Sequence, residues 1–224
     1  MQFSLIKGIT RRPDASLALR NYSALAGGYD ATCTRIAALR LRAVRALQLR
    51  PGETVFDIAC GTGPVLPLLA DAVGPSGRVV GVELCPEMAA QARLRIAGQP
   101  SCARVAVAEC AIEVFAPDQR ADALLLCYTH DVLQSPLALS RLLAVSKPGA
   151  RIAILGMKTL PWLWGWPVNV FNMYRARRYV TTYANLDRPW RLLSRQGAQL
   201  RIVHSALWGS AYIAVGNLPG PPLP

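Results

Sequence analysis

The sequence predicts a doubly wound α/β fold: a mostly parallel sheet of seven strands that ends in an antiparallel hairpin, preceded by a helical lid. Three observations carry this expectation. Short apolar runs alternate with helix-patterned segments from residue 55 onward, which is the order of βαβ units. Two glycines, Gly61 and Gly63, follow the first run at once, and an acid, Glu83, ends the second. The last two runs are separated only by "HSALWGS", too short a connection for a crossover helix.

The strand-like runs are Val55–Ala59, Arg78–Val82, Arg104–Ala108, Ala121–Cys127, Arg151–Leu155, Leu200–Val203 and Ala211–Val215, each dominated by aliphatic side chains suited to a buried sheet. Between the early ones, Pro64–Val73, Pro86–Ala97 and Ser135–Ser146 carry helical patterns closed by Gly or Pro. Ahead of them, residues 1–50 are helix-patterned and are expected to lie over the ligand edge of the sheet, with residues 51–216 as the core and an aromatic cap at 160–190. The tail "NLPGPPLP", residues 217–224, is too rich in Pro and Gly to promise packing.

With 224 residues, 52% of them hydrophobic, the chain can bury one substantial core, and a single domain is expected. No uninterrupted apolar stretch is long enough to span a bilayer, and the first residues lack the pattern of a secretory leader, so the expected compartment is the cytoplasm. Six cysteines without a Cys-x-x-Cys pair argue against a metal site and fit small buried apolar residues. The net charge of +12 comes from 22 arginines and only three lysines, spread along the chain. Such a balance suits nucleic acid or anionic lipid, but scattered arginines also suit an ordinary solvated surface.

In "DIACGTGP" the glycines fall where the chain must turn sharply from strand to helix, at the carboxyl edge where parallel sheets bind ligands. Glu83 lies about 20 residues on, the place of an acid that accepts hydrogen bonds from a ribose diol. A dinucleotide site would want a third small residue and an open helix N-terminus; here Leu66 and Pro64 occupy those places. Asp57, inside the turn, would repel a phosphate but suits a cationic amino group. The combination of adenosine and an amino group points to S-adenosylmethionine.

These stretches also carry a resemblance. "VFDIACGTG", "VVGVELCPEM" and "LLAVSKPGARIAIL" resemble, in that order, the first motif, the second-strand motif and the Lys-Pro-Gly hairpin of the class I S-adenosylmethionine-dependent methyltransferases, whose core is Rossmann-like; the similarity covers roughly residues 20–216. It implies that Asp57, Ala59 and Gly61 hold the methionine end, Glu83 the ribose and Leu84 one adenine face, with Gly63 a further cofactor-binding residue. It implies too that Glu109 meets the adenine amino group, with Cys110 and Ala111 offering backbone groups; Cys127 is a further cofactor-binding candidate. Glu109 has a second reading, as a surface acid at the start of the next helix. Tyr22 and Tyr29, seven apart and so on one helix face, would look down from the lid.

Acceptor chemistry is expected at "LLLCYTHDVLQSP". The signatures of nucleobase amine and cytosine-carbon methylation are absent there, and only Asp131 could serve a metal-dependent catechol enzyme, so no nucleic-acid partner and no metal are expected. His130 could accept a proton from an acceptor or simply begin the following helix. Residues 162–190 gather Trp162, Trp164, Trp166, Phe171, Tyr174, Tyr179, Tyr183 and Trp190. That density suits a packed cap, an interfacial membrane element or a lining whose rings attract a sulfonium.

"RYVTTYANLDRPWRLLSR" together with "THDVLQSP" is similar to a small bacterial branch of the superfamily. Its wider relatives include enzymes that close S-adenosylmethionine on itself to azetidine-2-carboxylic acid and methylthioadenosine. Methyl transfer to a small molecule of natural-product or amino-acid metabolism is the first expectation and cyclisation the second, with Tyr174, Asn169 and Asn172 then near the amine and sulfonium. A membrane surface with a phospholipid amine as acceptor is the third.

Overall fold

The computed structural model describes residues 10, 12–25, 36–98 and 103–219. The elements within them are α1 (Ala15–Leu25), α2 (Ala37–Ala46), β1 (Thr54–Ile58), α3 (Leu66–Val73), β2 (Arg78–Glu83), α4 (Pro86–Ala97), β3 (Arg104–Glu109), β4 (Ala121–Cys127), α5 (His130–Leu133), α6 (Pro136–Ala144), β5 (Ser146–Met157), α7 (Trp162–Ala176), α8 (Arg191–Arg195), β6 (Gln199–Ala206) and β7 (Ala211–Asn217). All seven strands build one sheet in the order β3-β2-β1-β4-β5-β7-β6. The first five pair in parallel, and β7 runs antiparallel between β5 and β6.

β1 is buried at all five positions, so its side chains feed both layers. Val55, Leu125 and Val79 point with Leu66, Leu69 and Val73 of α3 and Val44 of α2 into one core. Phe56, Leu124 and Val80 point into the other, against Leu139 and Leu142 of α6 and Leu193 of α8. Period-two alternation from strands covered on both faces produces this division. The strand order reverses between β1 and β4, and a doubly wound sheet opens its ligand crevice at such a switch point.

Two expectations change. Of the two described helices in the expected lid, α1 lines the cavity at the ligand edge. α2 is part of the core, with Ala43, Val44 and Leu47 buried, because its apolar stripe has sheet to rest on. The tail begins later than expected. Leu218 is 2% exposed, and it donates to the Ala150 carbonyl while accepting from Gly149, extending the β5 edge by one residue. We therefore expect Leu218→Ala to lower the unfolding free energy by about 2–4 kcal/mol. Chemical denaturation checks this, and a change below about 0.5 kcal/mol, ordinary for a surface position, would contradict it.

Candidate active site

The carboxyl edge of the sheet is braced strand to strand. Past the end of β1, Cys60 N–H donates to Val82 O at 3.0 Å, and past β3 Cys110 N–H donates to Glu83 O at 3.0 Å. The Glu83 carboxylate binds both neighbouring turns: Oε2 accepts from Gly61 N–H and Oε1 from Cys85 N–H, each at 2.8 Å. The turn itself is left-handed at Ala59 (φ 53°), Gly61 (φ 59°) and Gly63 (φ 70°). Glycine accepts this conformation freely, whereas Ala59 holds it against its Cβ. Across the switch point Tyr128, just past β4, is also left-handed at φ 59°.

A cavity of about 190 Å³ lies over this edge. Of the residues singled out in the sequence, Tyr22, Ala59, Gly61, Glu83, Leu84, Cys110, Ala111, Cys127 and His130 line it. α1 forms its roof, pinned by Tyr22 Oη donating to Tyr179 O at 3.0 Å. Thr181 closes the arrangement: its N–H and Oγ1 donate to Asp131, at 2.9 and 2.7 Å to Oδ2, while its Oγ1 accepts from Asp14 N–H at 3.0 Å.

Other candidates sit elsewhere. Asp57 lies beneath the cavity floor, 1% exposed. Gly63 does not face the cavity; a Cβ there would stand 2.8 Å from Leu66 and 3.0 Å from Ala92, so helix packing requires this glycine. Glu109 points outward and pairs with Arg93 at 2.7 Å, the surface role that its position at a strand end allowed. The acid that does line the cavity beyond β3 is Glu113, which accepts from Ser135 Oγ at 3.0 Å. No motif marked it, because it arrives on a single 3₁₀ turn, Ile112–Val114. Tyr174 is exposed under the Arg177 guanidinium, 4.0 Å from its ring centre, and does not line this cavity. Tyr29 falls outside the described residues.

A second and larger cavity, about 530 Å³, adjoins the first and shares Tyr22, Tyr128, Thr129, His130 and Tyr179 with it. Asn172 and Met173 from α7, Met157 from β5 and Tyr212 from β7 are among its walls. Asn169 also reaches it, but its amide is spent on Leu160, accepting from N–H at 2.8 Å and donating to O at 2.9 Å. It staples the start of α7, a structural task in place of the catalytic one expected.

Comparisons with known proteins agree with this edge. A family described as "Methyltransferase domain" matches residues 55–149. A ubiquinone/menaquinone biosynthesis C-methyltransferase of Geobacter sulfurreducens is 34% identical over 123 residues, 54% of this chain and 48% of that protein. A 2-phytyl-1,4-naphtoquinone methyltransferase of Synechococcus elongatus is 37% identical over 122 residues, 51% of this chain and 50% of that protein. The chain thus spans about half the length of these curated relatives. Among solved structures, an S-adenosylmethionine-dependent methyltransferase from Aquifex aeolicus shares the fold with a TM-score of 0.58 at 22% identity, over 91% of this chain and 97% of that one.

Several polar atoms at the switch point are buried without a hydrogen-bond partner among the described residues: Asp57 Oδ2, Thr129 Oγ1 and both ring nitrogens of His130. Thr129 and His130 line the cavity, where unpartnered polar atoms can take a ligand's polar groups, whereas Asp57 lies beneath its floor. Burial pushes the Asp57 carboxyl up to about 8, helped by the neighbouring charge of Glu83 and opposed by that of Arg40. Burial also holds His130 neutral, its pKa down to about 4. A carboxyl raised in the folded state contributes stability that is complete below its ordinary pKa and lost as pH rises through the folded value. Asp57→Asn should accordingly flatten the loss of stability between about pH 4 and 8 and raise the melting temperature at pH 8; a variant that melts lower there would contradict this. The match to the family described as "Methyltransferase domain" runs through this same edge, from β1 at residue 55 to residue 149 in β5, and so takes in Gly61, Glu83 and the seam at Tyr128 and His130.

Proposed function

We propose that the chain transfers a methyl group from S-adenosylmethionine to a small, largely apolar acceptor held in the second cavity. The observation that carries this is the joining of the two cavities at Tyr128, Thr129 and His130. A cofactor chamber alone would need no neighbour of about 530 Å³. Aromatic and methionine walls, from Phe171, Tyr183, Tyr212, Met157 and Met173, suit a planar ring or an alkyl chain. The curated relatives bear the names of quinone methyltransferases, and a ring-bearing acceptor is consistent with these walls. The matched domain ends before α7, so the acceptor's detailed identity rests on the cap.

The orphaned polar atoms and the glycine turn fit S-adenosylmethionine. When bound, it supplies an electrophilic methyl group on a cationic sulfur. Glu83 has lone pairs beyond the two spent on backbone N–H groups, so its carboxylate can take the ribose hydroxyls. Cys110 and Ala111 offer backbone groups at the far end of the cavity. His130, neutral and 9% exposed at the seam, can accept a hydrogen bond from an acceptor's hydroxyl or amine and orient its lone pair. The apolar walls exclude water from the transfer.

Mass spectrometry of the protein incubated with S-adenosylmethionine alone separates this reading from self-cyclisation. Intact cofactor, followed by a gain of one methyl group on an added quinol or phenol, supports methyl transfer. Methylthioadenosine with a four-membered cyclic amino acid formed without acceptor overturns it. Two variants test the cofactor side. Glu83→Ala should weaken S-adenosylmethionine binding by about 10- to 100-fold in calorimetry, the value of one or two hydrogen bonds to a charged group; unchanged affinity would remove the ribose assignment. Gly61→Val forces a β-branched side chain into a left-handed position on the cavity wall, and loss of measurable binding with a folded circular dichroism spectrum is expected.

A further inference from the structure

The cap helix α7 is inverted. Its inward stripe, at the spacing of one helix face, is Gly165, Val168, Asn169, Asn172, Met173 and Ala176, all buried or half-buried. Its outward side carries Leu163, 94% exposed, with Val170 and Tyr174, flanked by Trp164 and Trp166, each more than half exposed; Trp162 at the helix start and Phe171 at the rim of the second cavity are also more than half exposed. An amphipathic helix on a protein surface normally turns its largest apolar side chains toward the core. Here the asparagines face in and the tryptophans face out.

The apolar surface continues onto a neighbouring turn. Trp208 is 85% exposed and, like Leu207, held at positive φ, which costs free energy at a non-glycine residue. This turn and the start of α7 meet on one residue. A Cβ at Gly209 would stand 3.6 Å from Leu160 Cδ2, and one at Gly165 only 2.3 Å from Leu160 Cβ. So large an exposed apolar patch marks a contact surface.

Its charge narrows the partner. From residue 132 to 186 the sequence contains no Asp or Glu, while Lys158, Arg175, Arg177 and Arg178 lie in or beside the cap. Arg175 and Arg177 stand over the rings of Phe171 and Tyr174, at 5.7 and 4.0 Å from their centres. Outward tryptophans flanked by arginines, with no acid, match the boundary between lipid headgroups and acyl chains. At 15 residues α7 is about 22 Å long, short of the roughly 30 Å of a bilayer's hydrocarbon core. No helix among the described residues is long and apolar enough to cross a membrane.

We propose that the outward face of α7, with the Leu207–Trp208 turn, docks flat onto an anionic phospholipid surface. The inner face of the same helix walls the second cavity through Asn172, Met173 and Ala176, so docking brings that cavity beside the bilayer. The proposal stands on the surface itself and does not depend on which acceptor the cavity takes.

Vesicle flotation tests it with the full chain. Wild type should float with vesicles of equal parts phosphatidylcholine and phosphatidylglycerol, remain below with phosphatidylcholine alone, and detach as sodium chloride rises from about 0.05 to about 0.5 M. Trp164→Ser with Trp166→Ser, neither of which lines the cavity, should weaken binding by at least about ten-fold with an unchanged melting curve. Arg177→Glu with Arg178→Glu is a second variant and should abolish the preference for anionic lipid. Wild type left unbound by anionic vesicles at low salt overturns the proposal, as does a tryptophan variant that floats like wild type. A dimer in light scattering that the tryptophan substitutions dissociate, without vesicle recruitment, also overturns it and assigns the face to a second copy of the chain.

Discussion

The buried carboxylate of Glu83 holds the ligand edge together. By accepting from the N–H groups of Gly61 and Cys85 it fixes the turn after β1 and the entry to α4 in one relative position. Backbone bonds from Cys60 to Val82 and from Cys110 to Glu83 then align three strand tips as a single rim. Burial raises the pKa of this carboxyl and the backbone donors lower it, with burial the larger effect. An acid in that balance bonds its surroundings firmly and still has lone pairs for a ligand. Residues that would otherwise resist their conformation, such as Ala59, are held there by that frame.

Around the frame the molecule divides its work by layer. The sheet and the helices α2, α3, α4, α6 and α8 bury two apolar cores and hold the switch point still. The covering pieces, the stretch leading into α1 and the segment from α7 to Thr182, are tied to each other and to α5 through Asp14, Thr181 and Asp131. Hydrogen-bonded covers over a rigid sheet can move without disturbing the core. The seam between the chambers falls at Tyr128, whose left-handed backbone turns the chain from β4 toward α5. Strain at that point is consistent with function.

Much of this was legible in the sequence. Strands read from short aliphatic runs fall within a few residues of the observed ones, because a sheet covered on both faces leaves a plain hydrophobic signal. Gly61 and Glu83 were legible as residues of the ligand edge because the turn demands an unusual backbone and an acid ends the second strand. What was not legible depends on direction. A strand-end acid such as Glu109 can face the ligand or the solvent, and Arg93 decides which. Gly63 follows the motif but serves the contact with Ala92. Asn169 resembles a catalytic amide until its bonds to Leu160 are seen. The inverted face of α7 was hidden because an aromatic-rich segment has the same composition whichever way it turns.

The most direct test of the account is a crystal structure of the protein with S-adenosylhomocysteine. The account predicts the ribose hydroxyls on Glu83, adenine beside Leu84 and the Cys110–Ala111 backbone, and the sulfur facing the seam at Tyr128 and His130 with the second cavity open beyond it. A ligand bound away from Glu83, or a sulfur turned from that seam, would contradict it.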